Sequence, residues 1–363
     1  MDVILETPGT RVGKRNEMIH INVPDRPSLD IPTREIESII VGTGVQITSQ
    51  ALKAISSHAI NIVYTSLGTP YGLYTPFANV GTVFTRRQQI LAYDDWRGVH
   101  LATKFVYATL ENKRRLLLYF AKNRKKSNHS KYVYLRKGAD HIGKMIALLE
   151  ERSQSFKKNE TVKDIRNILM GIEGKATSTY FMTFGTLFKK EFWTMHRTRR
   201  PPRDPLNSLL SLGYTVLQGY VTTGVASAGL ELYAGFLHSD RSGKPSLALD
   251  LLEEFRQPII DRLVARLIQK KQIKGDDFEN TLHGYRLKDD PKSLFYEKLR
   301  KEVLGKDTSE VLFNEETHGI EKRSRSPTKV KLNYKREIIK QARRVANFLI
   351  GATEEYEPFI SNW

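Results

Sequence analysis

Between positions 18 and 77 apolar and polar residues alternate in short runs. Ile19, Ile21 and Val23 enclose His20 and Asn22, and comparable runs stand at 38–41, 46–48, 60–64 and 71–74. A two-residue period sends alternate side chains into a core and toward water, so each run predicts a strand. Glycine, proline, aspartate and asparagine punctuate the runs, as turns require. One helix is expected at 49–58, with Ser49 as its N-cap, which makes this region a small sheet with a single crossover helix.

After Pro76 the period lengthens to three and four residues, predicting helices at 86–112, 113–125, 164–187, 206–221, 226–237, 248–271 and 334–351. Breaks are expected at Pro201-Pro202, Asp204-Pro205 and 242–245, where proline and glycine cannot sustain a helix. The polar stretch 305–329, with its Lys322-Arg323-Ser324-Arg325 run, reads as a basic loop or insertion. The expected fold is therefore α+β: an N-terminal small β-rich domain at 1–80, a linker at 81–90 and a larger all-α domain at 91–363. No internal repeat of solenoid period is visible.

Composition narrows the chemistry. The 363 residues are 40% hydrophobic, enough for a core in each domain. Lysine and arginine number 58 against 40 acidic residues, a net charge of +18 that points to a polyanion such as nucleic acid. Solubilising surface lysine is the plainer reading of the same number. With no cysteine, disulfides, thiolate zinc, iron–sulfur clusters and thiol nucleophiles are excluded. Asp2, Glu6, Pro8 and Gly9 interrupt the first apolar residues, and no apolar run approaches the roughly 18 residues a spanning helix needs. A cytoplasmic protein is expected, with no membrane partner.

Three features in the helical part are odd by packing rules. Glu173 stands in Gly171-Ile172-Glu173-Gly174, inside an otherwise apolar-periodic segment. Each glycine there costs a helix about 1 kcal/mol relative to alanine and marks a place where something approaches the backbone; a kink with Glu173 in solvent is the alternative. His238 follows the amphipathic run 230–237, where a histidine can equally cap a helix C-terminus. Asp250, Glu253 and Glu254 open the helical segment 248–271, where acidic residues also simply complement the helix dipole. Two carboxylates and an imidazole together suit Mg2+ or Mn2+ more naturally than zinc, with open positions for water and phosphate. Such an ion activates a hydroxyl and steadies the charge of an in-line attack on a phosphodiester. Basic clusters at Arg86-Arg87, 113–126, 197–203, Lys335-Arg336 and Arg343-Arg344 offer a cationic track, or merely solvated faces.

The string 200–214, RPPRDPLNSLLSLGY, resembles a signature of the first CRISPR-associated protein family, the universal CRISPR adaptation endonuclease and integrase. Gly-Ile-Glu-Gly at 171–174, Gly-Phe-Leu-His at 235–238, KPSLALDLLEEFR at 244–256, Gln341-Ala342-Arg343 and Tyr356-Glu357-Pro358-Phe359 are similar to that family in order and spacing. The likeness also reaches the sheet region through Ile31-Pro32, Ile36-Glu37-Ser38-Ile39 and 45–52.

The resemblance implies an N-terminal β domain, a helical catalytic domain, and Mg2+ or Mn2+ held by Glu173, His238 and Glu253. Asp250 would be the supporting carboxylate and Glu254 a less certain neighbour. Lys244 and Arg256 match basic motif positions and would meet DNA phosphate, although Arg256 can equally pair with a carboxylate on its own helix; Arg86 and Arg87 are further DNA-contact candidates. The family implies a homodimer formed through the β domain, working with the second CRISPR-associated protein on double-stranded and branched DNA. It inserts foreign fragments, as spacers, into a CRISPR array by 3′-hydroxyl attack on a phosphodiester. A branched-DNA repair nuclease and a non-catalytic DNA-binding scaffold are the alternatives.

Overall fold

A computed structural model describes residues 2–5, 7–36, 38–66, 69–77, 82–157, 159–282, 284–305 and 333–362. All but the first residue of the basic stretch 305–329 lies outside them. The chain divides into two compact units, one formed by 1–80 with 300–336 and the other by 81–299 with 337–363.

The first unit holds β1 (Asp2–Leu5), β2 (Arg11–Arg15), β3 (Met18–Asn22), β4 (Leu29–Pro32), β5 (Ser38–Val41), β6 (Gln46–Ile47), α1 (Ser49–Ser57), β7 (Asn61–Ser66) and β8 (Thr69–Tyr74). They form two four-stranded sheets, β1-β5-β7-β8 and β4-β3-β2-β6, rather than the single small sheet expected. β5 and β7 run parallel, so the chain must cross over between them, and α1 lies in that connection. Its cap is Thr48, whose hydroxyl accepts from the Ala51 amide at 3.3 Å, and not Ser49. Val12, Ile19, Ile21, Ile39, Ile55 and Ile62 are among the side chains of the core.

The second unit is dominated by α2 (Thr82–Ala92), α3 (Trp96–Lys122), α4 (His129–Gln154), α5 (Val162–Gly185), α6 (Pro205–Ser227), α7 (Ser246–Leu252) and α8 (Arg262–Gln269). A hairpin of β9 (Phe278–Thr281) and β10 (Gly284–Leu287) follows, so this part is not all-α. Two further helices are α9 (Asp289–Leu304) and α10 (Tyr334–Leu349), whose residues up to 299 and from 337 belong to the second unit. The expected linker at 81–90 is helical from Thr82 onward. Among the described residues no helix is long and apolar enough to cross a membrane.

Three helix expectations change. The stretches 86–112 and 113–125 resolve into α2 and one long α3, because Glu111, Asn112 and Lys113 are buried and partnered rather than a polar break. Of the segment 226–237 only Ala226 and Ser227 are helical, as the end of α6, and from there the chain runs without a helix to Pro245. The segment 248–271 is α7, a turn, a π-helical stretch at Arg256–Asp261, and α8. Such stretches widen the helix locally and often occur beside functional sites.

Candidate functional site

Glu173 lies in the middle of α5, which starts at a capping box between Thr161 and Asp164. Its carboxylate meets the ammonium of Lys113 from α3 at 2.8 Å and accepts a hydrogen bond from Thr177, one turn along its own helix. Lys113 also donates to Thr177 and is 2% exposed. Burial raises the Glu173 carboxyl, but Lys113, Thr177 and the charge of Arg256 outweigh it and hold it at about 2. The solvent-facing kink weighed for this residue is therefore absent. The flanking Gly171 and Gly174 have nothing within 4 Å of where a Cβ would stand, so no internal packing requires them.

His238 sits on the loop after α6 and not at a helix C-terminus. The loop is shaped by one carboxylate from α7. Asp250, fully buried, accepts from the Phe236 amide at 2.6 Å, the Leu237 amide at 3.0 Å and the His238 amide at 2.9 Å. The same group meets His238 Nδ1 at 2.7 Å, which fixes the ring and leaves Nε2 as its remaining donor atom. Gly235 permits this wrap: a Cβ there would stand 2.6 Å from Cβ of Ser246 and 2.9 Å from Asp250 Oδ2. Burial lowers the pKa of His238, yet the bond and charge of Asp250, with Glu253, move it above the ordinary histidine value. From α2, Gln89 fastens the other flank, donating to the carbonyls of Glu231 and Ala234 at 2.9 and 2.7 Å.

Glu253 follows α7, three residues after Asp250, and forms an ion pair with Arg256. Of the two readings of Arg256, the structure shows carboxylate pairing. Its guanidinium also lies 4.8 Å from the Tyr214 ring centroid. Glu254, next in sequence, points elsewhere, to Gln341 and Tyr356. Asp250, Glu253 and Glu254 do not form a solvated helix start, since all three are buried.

Glu173, His238 and Glu253 line one cavity of about 230 Å³, together with Lys113, Thr177, Arg197, Arg199, Tyr214 and Arg256. The string 200–214 explains part of this wall. Asp204 caps α6 through the Asn207 amide at 2.7 Å, with Pro205 in the first turn, and also accepts from the Thr194 hydroxyl at 2.7 Å. Asn207 in turn holds Arg197 at 2.9 Å, and Arg197 lies against the rings of Phe181 and Tyr214. Behind the wall, Asp261 takes the hydroxyls of Tyr180 and Tyr214 at 2.7 and 2.6 Å.

The remaining basic candidates behave differently. Lys244 is half-buried near the turn before α7 and its charge is felt at His238, while Arg86 and Arg87 lie on α2 and are not among the residues of the cavity wall. Arg114 and Arg115 are tied to Glu111 at 3.2 and 2.7 Å, so the basic run of α3 is partly an internal network. Sequence reasoning missed Thr177, Gln89 and Asp261 as site-shaping groups. It also read Lys113 only as part of a basic run facing phosphate or solvent, not as a buried partner of Glu173.

The donor set fits a hard divalent cation: two carboxylates and an imidazole oriented by a carboxylate behind it. Among the described residues, however, no three His, Asp or Glu side chains are drawn tightly enough together to hold an ion as they stand. Lys113 and Arg256 engage the two carboxylates instead.

Residues 3–301 match the family of CRISPR associated protein Cas1. The CRISPR-associated endonuclease Cas1 1 of Archaeoglobus fulgidus is 30% identical over 100% of both chains. Two solved structures share the fold. A casposase bound to integration product has a TM-score of 0.66 at 20% identity, over 99% of this chain and 94% of its own. A partial Cas6-RT-Cas1–Cas2 complex has a TM-score of 0.71 at 21% identity, over 100% and 99%. By the family match and the full-length relative alike, the chain belongs to the Cas1 family of CRISPR-associated proteins.

Proposed function

We propose that this chain is a divalent-metal-dependent DNA endonuclease and integrase of CRISPR adaptation. It joins foreign DNA fragments to a repeat array through the cavity of Glu173, His238 and Glu253. The observation that carries the reading is the meeting of these three side chains on one cavity wall, with Asp250 fixing His238. The relative named an endonuclease and the casposase bound to its integration product support cleavage and strand transfer as one chemistry.

Glu173, His238 Nε2 and Glu253 would hold Mg2+ or Mn2+, which supplies Lewis acidity and activates a hydroxyl when bound. Asp250 keeps His238 in one tautomer and one orientation. Arg197 and Arg199, with Lys113, give the cavity a cationic wall that suits a phosphodiester. With a fragment's 3′-hydroxyl as nucleophile the outcome is strand joining, and with water it is cleavage. The chain works as a homodimer through its β-rich domain, in the cytoplasm, with the second CRISPR-associated protein as partner; the fold shared with a Cas1–Cas2 complex supports that assembly.

The test is strand joining of a short duplex to repeat DNA with the companion protein and Mn2+. Joining at the repeat border, reduced at least about a hundredfold by Glu173→Gln, is the expected result. Joining that ignores the border points to branched-DNA repair, and an unaffected Glu173→Gln rate removes the site assignment.

A further inference from the structure

We infer that Lys113 and Arg256 make divalent-cation binding and DNA binding depend on each other, a regulation that rests on the proposed metal site. Both acidic ligands are already neutralised from within the protein. The Lys113 ammonium stands 2.8 Å from Glu173 and also touches Thr177, and Arg256 is ion-paired with Glu253 three residues before it. Neither cation is a loose surface group. Lys113 is 2% exposed, and the Arg256 Nε is buried without a hydrogen-bond partner.

The arithmetic of charge then favours order. Two carboxylates and two cations sum to zero beside a half-buried imidazole. A divalent ion entering alone must displace or sit against two fixed positive charges, in surroundings where like charges repel far more than in water. A phosphodiester reverses this, since its anionic oxygens offer the Lys113 ammonium and the free Arg256 N–H a new partner. Glu173 and Glu253 are then released toward the ion. Because coupling between two ligands is reciprocal, DNA tightens the ion by the same factor as the ion tightens DNA. The chain would thus carry little bound metal until substrate is in place, which keeps a nuclease idle between substrates.

The experiment measures Mn2+ binding directly, by the loss of the free-ion electron paramagnetic resonance signal. Titrations use the full chain with and without a short phosphorothioate duplex, which keeps the backbone charge and resists cleavage, with the duplex alone subtracted. For the wild type, DNA is expected to tighten Mn2+ by about tenfold or more. Lys113→Met is expected to bind Mn2+ about tenfold more tightly than wild type without DNA and to lose most of the DNA-dependent gain. Equal wild-type affinity with and without DNA overturns the inference, as does a Lys113→Met protein that binds Mn2+ no more tightly than wild type. Should that variant fail to fold, the wild-type pair of titrations still decides. Glu173→Gln separates the two levels: undiminished Mn2+ binding there removes the metal site itself, whereas loss of binding with no DNA effect in wild type removes only the coupling.

Discussion

Two adjacent glutamates lead into two different acidic neighbourhoods. Around the cavity, Glu173 and Glu253 each face a cation, Lys113 and Arg256. On the other side of the same turn, Glu254 meets neutral donors: the Tyr356 hydroxyl at 2.6 Å, the Gln341 amide at 3.0 Å and the Phe359 amide N–H at 2.8 Å. Asn112 seals this second neighbourhood, donating to the carbonyls of Glu254 and Phe359 at 2.9 Å each. Burial outweighs its three hydrogen bonds and the charge of Arg344, and leaves the Glu254 carboxyl raised to about 7. A carboxylate paired with a side-chain cation can trade that one partner for a metal ion. One locked by three fixed dipoles cannot, so the first neighbourhood is suited to chemistry and the second to holding shape.

Single substitutions should therefore separate the two regions cleanly. His238→Ala is expected to lower strand joining by about a thousandfold, on the order of 4 kcal/mol of barrier, while the urea midpoint moves little. A thermal or urea transition that collapses with it would erase the distinction. Glu254→Ala should do the reverse in kind, leaving the Tyr356 hydroxyl and the Phe359 amide without an acceptor and costing about 3 kcal/mol or more in urea unfolding. Unchanged stability there would mean that the Tyr356 and Phe359 contacts are dispensable. The smallest expected effect sharpens the comparison at the cavity's edge. Gly174→Ala meets open space, so it should raise stability by about 0.5–1 kcal/mol through helix propensity alone. A fall in melting temperature would show that the helix needs a bare backbone there even without a ligand.

Much of this was legible from residue order, and the losses have physical causes. The long helices and most inner strands carry uninterrupted periods, and α5 and α6 begin within two residues of expectation. β2 was missed because Arg11, Gly13, Lys14 and Arg15 surround a single core residue, Val12, which is too little for a pattern. The stretch 226–237 imitates a helix because Leu230, Phe236 and Leu237 are buried at helical intervals, although Gly235 and the pull of Asp250 give the chain another path. In the site, Glu173, His238, Asp250 and Glu253 were visible as polar residues in apolar company and through the family likeness. Lys113 was not, because its partner lies 60 positions away and a lysine in a basic run looks solvated. Gln89 reaches 142 positions to its loop and gives no local signal at all.

The anchor of Glu254 also has a temporal side. Its hydroxyl partner lies 102 positions further along the chain, and Asn112 takes the Ser361 amide from 249 positions away. Contacts of such span close late in folding, after the intervening helices have found their places. A nascent chain lacking the stretch from 356 to 361 would carry an unsated carboxylate immediately beside Glu253. Competence for chemistry would then wait on the docking of residues 356–361 against Glu254 and Asn112.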